Sequence, residues 1–246
     1  MKNYIALVFV AALAATSNAQ TLVSRDTTMN YNYLHGFGGS GVDDAVSYDD
    51  TTLVNSFNHN VTWQSQNDGS WAGAPWTAGV WGDLNQSFEI TPSGGGFSQI
   101  DAAADSHLST FQTHVGNALN YSTNPGNLLV FNFDISEATD YTLTGNVTID
   151  ESEAGSGTLV ALQRWDGIVW QQVHTTLFLT GMQGDFNYAG TLMAGEYRLY
   201  SAISITAFGN QDLAGSFDYQ FNAVPEPGSI ALISAGVLFW ARKRKK

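Results

Sequence analysis

Between Tyr141 and Asp150 apolar and polar residues keep one phase: Tyr141, Leu143, Val147 and Ile149 alternate with Thr142, Thr144, Asn146, Thr148 and Asp150. Successive side chains of an extended chain point to opposite faces, so this segment reads as a strand with one wet and one buried face. Phe131, Phe133 and Ile135 repeat the pattern against Asn132 and Asp134, and Phe217, Tyr219 and Phe221 against Asp218 and Gln220. Tyr197, Leu199, Ile203 and Ile205 predict a longer strand after an Ala194-Gly195 turn. Shorter candidates sit at Val61–Trp63, Phe88–Ile90, Leu159–Leu162, Val169–Val173 and Phe186–Tyr188. Asn67-Asp68-Gly69, Trp165-Asp166-Gly167 and Gly209-Asn210 read as the turns between such strands. The expected fold is all-β: a two-sheet antiparallel β-sandwich, jelly-roll-like, with a short C-terminal hydrophobic helix.

One stretch supports two periods. Ile100, Ala104, Leu108, Phe111, Val115 and Leu119 fit a helix, while Phe111, Val115, Leu119 and Tyr121 also fit alternation. Its Ser, Thr and Asn content lowers helix propensity, so strands are expected. The part up to about Gly96 is richer in Gly and Trp and reads as the looser half of one sandwich rather than a second domain.

Charge removes whole classes of function. The chain of 246 residues carries 9 Lys+Arg against 22 Asp+Glu, a net charge of −13. Between Gln20 and Ala223 only Arg25, Arg164 and Arg198 oppose 21 acidic residues, leaving −18. Such a body repels phosphate backbones, so nucleic acid is excluded as a partner. It holds no Lys for a Schiff base or P-loop, and the chain has no Cys for a thiol nucleophile, disulfide or cysteine–zinc site. Hydrophobic residues at 43% are enough for a packed core.

The ends read as addresses. Lys2, the apolar run Ile5–Ala15 and the small residues Ser17 and Ala19 have the order of a secretory signal, with cleavage expected between Ala19 and Gln20. At the other end Val224-Pro225-Glu226-Pro227 leads into the uncharged Gly228–Ala241 and five consecutive bases, Arg242 to Lys246. The prolines predict an extended, accessible linker. A helix over Gly228–Ala241 spans ~21 Å against a hydrocarbon core of ~30 Å, a weak anchor whose bases favour the cytoplasmic side.

These C-terminal residues resemble the PEP-CTERM sorting signal of Gram-negative bacteria: a Pro-Glu-Pro motif, a short hydrophobic helix and a terminal Arg/Lys cluster. The resemblance covers 224–246, and Gly228 stands where a serine is common. It implies that exosortase, a membrane-embedded cysteine transpeptidase, recognises Pro225, Glu226 and Pro227, detaches the tail and passes the protein to the surface or matrix. The expected organisation is therefore a signal peptide at 1–19, a β-sandwich body at 20–223 and a sorting signal at 224–246. The expected partners are the secretion machinery, exosortase, the membrane before processing, and exopolysaccharide.

The remaining motifs are weaker. Gly36-Phe37-Gly38-Gly39-Ser40-Gly41 matches G-x-G-x-x-G, yet no βαβ unit surrounds it, so it reads as a loop. Asp43, Asp44, Asp49 and Asp50 could ligate Ca²⁺ only from a loop, and they lack D-x-D-x-D-G spacing, so a solvated acidic loop is expected and no metal is assigned. Trp63, Trp71, Trp76 and Trp81, interleaved with glycines, could stack sugars, or could fill a core as bulky aromatics usually do. The five histidines show no H-E-x-x-H, and no G-x-S-x-G is present. Glu89, Glu137, Glu151, Glu153 and Glu196 could include a glycosidase pair, but carboxylate separation is not written in a sequence. Four N-x-S/T sequons, at Asn60, Asn85, Asn120 and Asn146, are left unassigned. The expected function is non-enzymatic and cofactor-free: an exported surface or matrix protein with a structural or adhesive role, the alternative being a carbohydrate-binding module built on Trp63–Trp81.

Overall fold

The computed structural model describes residues 20–35, 42–52, 54–71, 74–93, 96–113, 122–123, 126–150, 156–179, 183–207 and 210–225. The expected signal segment at 1–19, the glycine run at 36–41, and 226–246 with Glu226, Pro227 and the expected helix lie outside the described residues.

All regular structure among the described residues is strand. In chain order these are β1 (Gln20–His35), β2 (Val42–Asp50), β3 (Ser56–Trp71), β4 (Ala74–Ser93), β5 (Gly96–Gln112), β6 (Ser122–Thr123) and β7 (Gly126–Ile135). There follow β8 (Thr139–Ile149), β9 (Gly157–Trp165), β10 (Trp170–Leu179), β11 (Gln183–Leu192), β12 (Gly195–Ser204) and β13 (Gln211–Pro225). The first sheet has the order β10-β9-β12-β7-β1-β2, with β6 also pairing β1; the second has the order β11-β8-β13-β5-β4-β3. Every pairing is antiparallel.

From β5 onward the long strands change sheets at every step except the β9–β10 hairpin. The eight strands stand as β11-β8-β13-β5 in one sheet and β10-β9-β12-β7 in the other. That is the strand order of a jelly roll. The N-terminal strands widen it in both sheets, β1 and β2 beside β7, and β3 and β4 beside β5.

The two sheets pack through rings contributed by both. Phe131 and Phe133 of β7 meet Phe88 of β4 and Phe97 of β5 edge-on, at 5.2 and 5.5 Å between centroids, and Phe133 lies 5.4 Å from Phe221 of β13. Edge-to-face contacts match the positive rim of one ring to the negative face of another. The alternation seen in the sequence is the inward set: Tyr141, Leu143, Val147, Ile149, Phe217, Tyr219 and Phe221 are all buried. The ambiguous stretch from Ile100 is β5 as far as Gln112, with Ile100, Ala102, Ala104 and Leu108 inward. A strand suits it because Asp101, Asp105, His107 and Ser109 then face away from the core.

Buried polar groups beside the core are held by specific partners. Arg25 of β1 is buried at 1% exposure, pairs with Asp50 at 2.9 Å, and donates its Nε to the Thr52 carbonyl at 2.9 Å. Its guanidinium also lies 4.8 Å from the Phe88 ring centre and 5.2 Å from that of Phe57. Gln86 of β4 donates to Asn127 Oδ1 and the Leu128 carbonyl at 2.8 and 2.9 Å, and Asn127 Nδ2 donates to the Asn85 carbonyl at 2.8 Å. A buried charge or amide is tolerated only when partnered in this way.

Two local expectations are corrected. Asn67-Asp68-Gly69 is not a turn but part of β3, paired with Ala78, Thr77 and Trp76 of β4. A partner strand supplies the ladder bonds on one side and β3 is an edge, so turn-type residues are tolerated there. Asp43–Asp50 is not a loop either: it is most of β2, paired residue by residue with β1. By contrast the Trp165-Asp166-Gly167 turn is present. Gly167 has φ 98°, and Asp166 Oδ1 accepts the Ile168 and Val169 N–H groups at 2.9 Å each.

Candidate functional site

β13 carries the folded body to its C-terminal address. Leu213, Phe217, Tyr219, Phe221 and Ala223 alternate into the core, while Asp212, Ala214, Ser216, Asp218, Gln220 and Asn222 take the opposite face. The strand is central: β5 pairs with Gln211–Asn222 and β8 with Gly215–Pro225. Beyond Asn222 the ladder continues on β8 alone, with Ala223, Val224 and Pro225 opposite Tyr141, Asp140 and Thr139. The chain is thus extended at Val224 and Pro225, as the prolines predict, but it is sheet rather than free linker. Proline is tolerated because at this point the strand is paired on one side only.

Gln20, the residue expected to begin the exported chain, holds this same place. It is 3% exposed, and its side-chain Nε2 donates to the Ala223 carbonyl at 2.7 Å and to the Phe97 carbonyl. The first described residue is therefore in direct contact with Ala223, two residues before Pro225. A backbone carbonyl buried without a donor is costly, so the Gln20 amide locks the end of β13 onto β1 and β5. Sequence reading marked Gln20 only as a cleavage neighbour; nothing local announces the bond, which spans 203 positions.

The four tryptophans do not form one platform. Trp63 is 5% exposed and sits in the core, its ring over Gly82, where a Cβ would lie 2.3 Å from Cζ2. Trp81 is 40% exposed and packs edge-on against His107 at 4.9 Å. Trp76 is half-buried, at a β4 position in phase with the inward Ala78 and Val80. Trp71 lies in β3 opposite Ala74, and its side chain lies outside the described residues. Strand alternation is the cause: Trp76 and Trp81 are five positions apart and fall on opposite faces.

His107 is flanked by Asp212 at 2.7 Å and Asp83 at 3.6 Å, all three on the outer face of the second sheet. Also on that face Glu89 stands directly opposite Asp101, which accepts from Gln99 and from Gln220 at 2.9 Å. His174 is stacked on Tyr188 at 4.4 Å. Glu196 and Asp134 face each other on β12 and β7. Glu151, Glu153 and His114 lie outside the described residues. Among the described residues no three His, Asp or Glu gather as a metal site, and no helix is long and apolar enough to cross a membrane. Asp50 is a strongly perturbed carboxylate. The Thr52 backbone N–H, the Arg25 guanidinium and the Thr52 hydroxyl hold it well below its ordinary 3.8, at about 2.

No curated protein matches the chain. Among solved structures it is similar to a chain of an empty cowpea mosaic virus particle, with 6% identity over 86% of this chain and 83% of that one, at a TM-score of 0.27. A chain of infectious bursal disease virus gives 11% identity over 87% and 59%, at 0.25. A chain from the β-sandwich superfamily of carbohydrate-binding modules gives 8% over 85% and 98%, at 0.22. Scores so low carry no argument for fold or function. At the end of β13 the comparison is informative: residues 223–245 match the family model of the PEP-CTERM protein-sorting motif, which marks an exported protein sorted by exosortase.

Proposed function

We propose that this chain is a non-enzymatic surface or extracellular-matrix protein, delivered through its Pro225-Glu226-Pro227 signal, whose jelly-roll body has a structural or adhesive role. The observation that carries this reading is the position of the motif. The match covers 223–245 and β13 ends at Pro225, so the last described strand of the body runs directly into the signal. A body without Lys or Cys, with 21 acidic residues against three arginines, supports a role in presenting surface rather than in covalent catalysis. Its charge also favours solubility once released.

Removing 226–246 is expected to leave the fold and redirect the protein, because β13 is held by its ladders to β5 and β8 within Gln211–Pro225. Fractionation of the producing cells, with circular dichroism of the recovered protein, reads both effects. Unchanged delivery to the surface or matrix would overturn the sorting reading. Loss of fold would overturn the assignment of the body's end.

A further inference from the structure

We propose that the outer face of the first sheet carries a binding groove for a neutral, hydroxyl-rich glycan, centred on Arg198, Tyr200 and Trp170. This goes beyond the sorting reading and uses none of the four tryptophans between Trp63 and Trp81. An open groove of about 580 Å³ crosses β1, β7 and β12 there and is bounded by Trp170 of β10. That volume is in the range of small-ligand sites.

Three rows cross the strands. Asp134 and Glu196 face each other at one end. Next come Ser24, Asn132, Arg198 and Gln163, paired across β1, β7, β12 and β9. Then come Asp26, Val130 and Tyr200. Val130 and Leu128 form an apolar floor beside Tyr200, with Val23, 52% exposed, at the margin. A groove with an apolar floor and polar rims suits a ring that has C–H faces and hydroxyl edges.

Arg198 is held as a rigid donor. Its guanidinium carbon lies 4.5 Å from the Trp170 ring centre and 5.4 Å from that of Tyr200, and Nε donates to Gln163 Oε1. Among the described residues no carboxylate lies within 4.0 Å of it, in a body dominated by acids. A planar guanidinium stacked between rings loses little freedom when its remaining N–H groups meet an acceptor. Asn132 is fixed by donating to Ser24 Oγ at 2.8 Å. Asp26, Asp134 and Glu196 are exposed acceptors around these donors. Sugar hydroxyls both donate and accept, so they match a rim that mixes fixed donors with carboxylates.

Other occupants fit less well. The lining holds three carboxylates and one guanidinium, which disfavours acidic polymers. β7 and β12 are flanked on both sides, so an extended peptide finds no open ladder on them.

The test is calorimetric titration of the full chain with cellohexaose, laminarihexaose, xylohexaose and mannohexaose. Polygalacturonate and a chitosan oligomer serve as acidic and cationic comparisons. At least one neutral hexasaccharide is expected to bind, at least tenfold more weakly in Tyr200→Ala and Arg198→Ala and about threefold more weakly in Glu196→Gln. Trp81→Ala, on the other sheet, should leave binding unchanged. If an aromatic variant fails to fold, the exposed-rim variants Glu196→Gln and Asp134→Asn decide. Binding of no neutral probe, binding of the charged polymers alone, or neutral binding that survives the groove variants would each overturn the proposal.

Discussion

Replacing Asp50 by Asn removes the charge that faces buried Arg25 while keeping an oxygen for the Thr52 N–H, which lies 2.8 Å from Asp50 Oδ1. The fall of the Asp50 pKa from 3.8 to about 2, at ~1.36 kcal/mol per pKa unit, sets an upper limit of about 2 kcal/mol for what ionisation adds to stability. The carboxylate is 20% exposed, and solvent screening reduces the expected loss in Asp50→Asn to about 1–2 kcal/mol at pH 7. The sign follows from the lowered folded pKa. The stabilisation is fully present well above 3.8, about half remains near pH 3, and it is nearly gone at pH 2. Urea unfolding of both proteins, with the difference in unfolding free energy plotted between pH 7 and pH 2, measures this. A difference of zero at pH 7, or one that persists undiminished at pH 2, would refute the Arg25–Asp50 clasp.

Gly82→Ala drives a Cβ into the Trp63 ring, 2.3 Å from Cζ2, and should cost about 1–3 kcal/mol with a shifted tryptophan emission; an unchanged urea midpoint would contradict the close approach. Gln20→Ala leaves the Ala223 and Phe97 carbonyls without that donor, and about 1–3 kcal/mol should be lost. Hydrogen exchange at Ala223 and Val224 should rise more than in β9, and a uniform rise would argue against a local lock. Phe133→Ala opens the junction with Phe97, Tyr197 and Phe221 and is expected to cost about 3–5 kcal/mol by denaturation, with a loss under 1 kcal/mol speaking against that junction as the core's centre.

The strands that alternate cleanly were legible because burial of one face leaves a period of two in the chain. Tyr141–Ile149 and Phe217–Phe221 are such cases, and both proved central in their sheet. Of the long β3–β4 ribbon only Val61–Trp63 and Phe88–Ile90 were legible, since Asn67-Asp68-Gly69 has turn chemistry and only pairing with Trp76–Ala78 keeps it extended. β2 was missed for a related reason. Asp43, Asp44, Asp49 and Asp50 look like a solvated loop, and an edge strand accepts them because charge there discourages further pairing. The tryptophan cluster misled because closeness in sequence says nothing of side, and alternation put Trp63 inside and Trp81 outside. The groove at Arg198 had one available signal. It is one of three arginines in a lysine-free body, flanked by Tyr197 and Tyr200, with Trp165 and Trp170 on either side of a turn. What joins them is the β9-β12-β7 order, which no local pattern contains.

The sorting account rests most directly on where the exported chain begins and ends. Intact mass and terminal peptides of the protein recovered from the cells that make it measure both. A chain starting at Gln20 and ending near Pro225–Pro227 is the predicted result, with the residue that clasps Ala223 at its N-terminus and the end of β13 at its C-terminus. A membrane-bound chain retaining Arg242–Lys246 would contradict it.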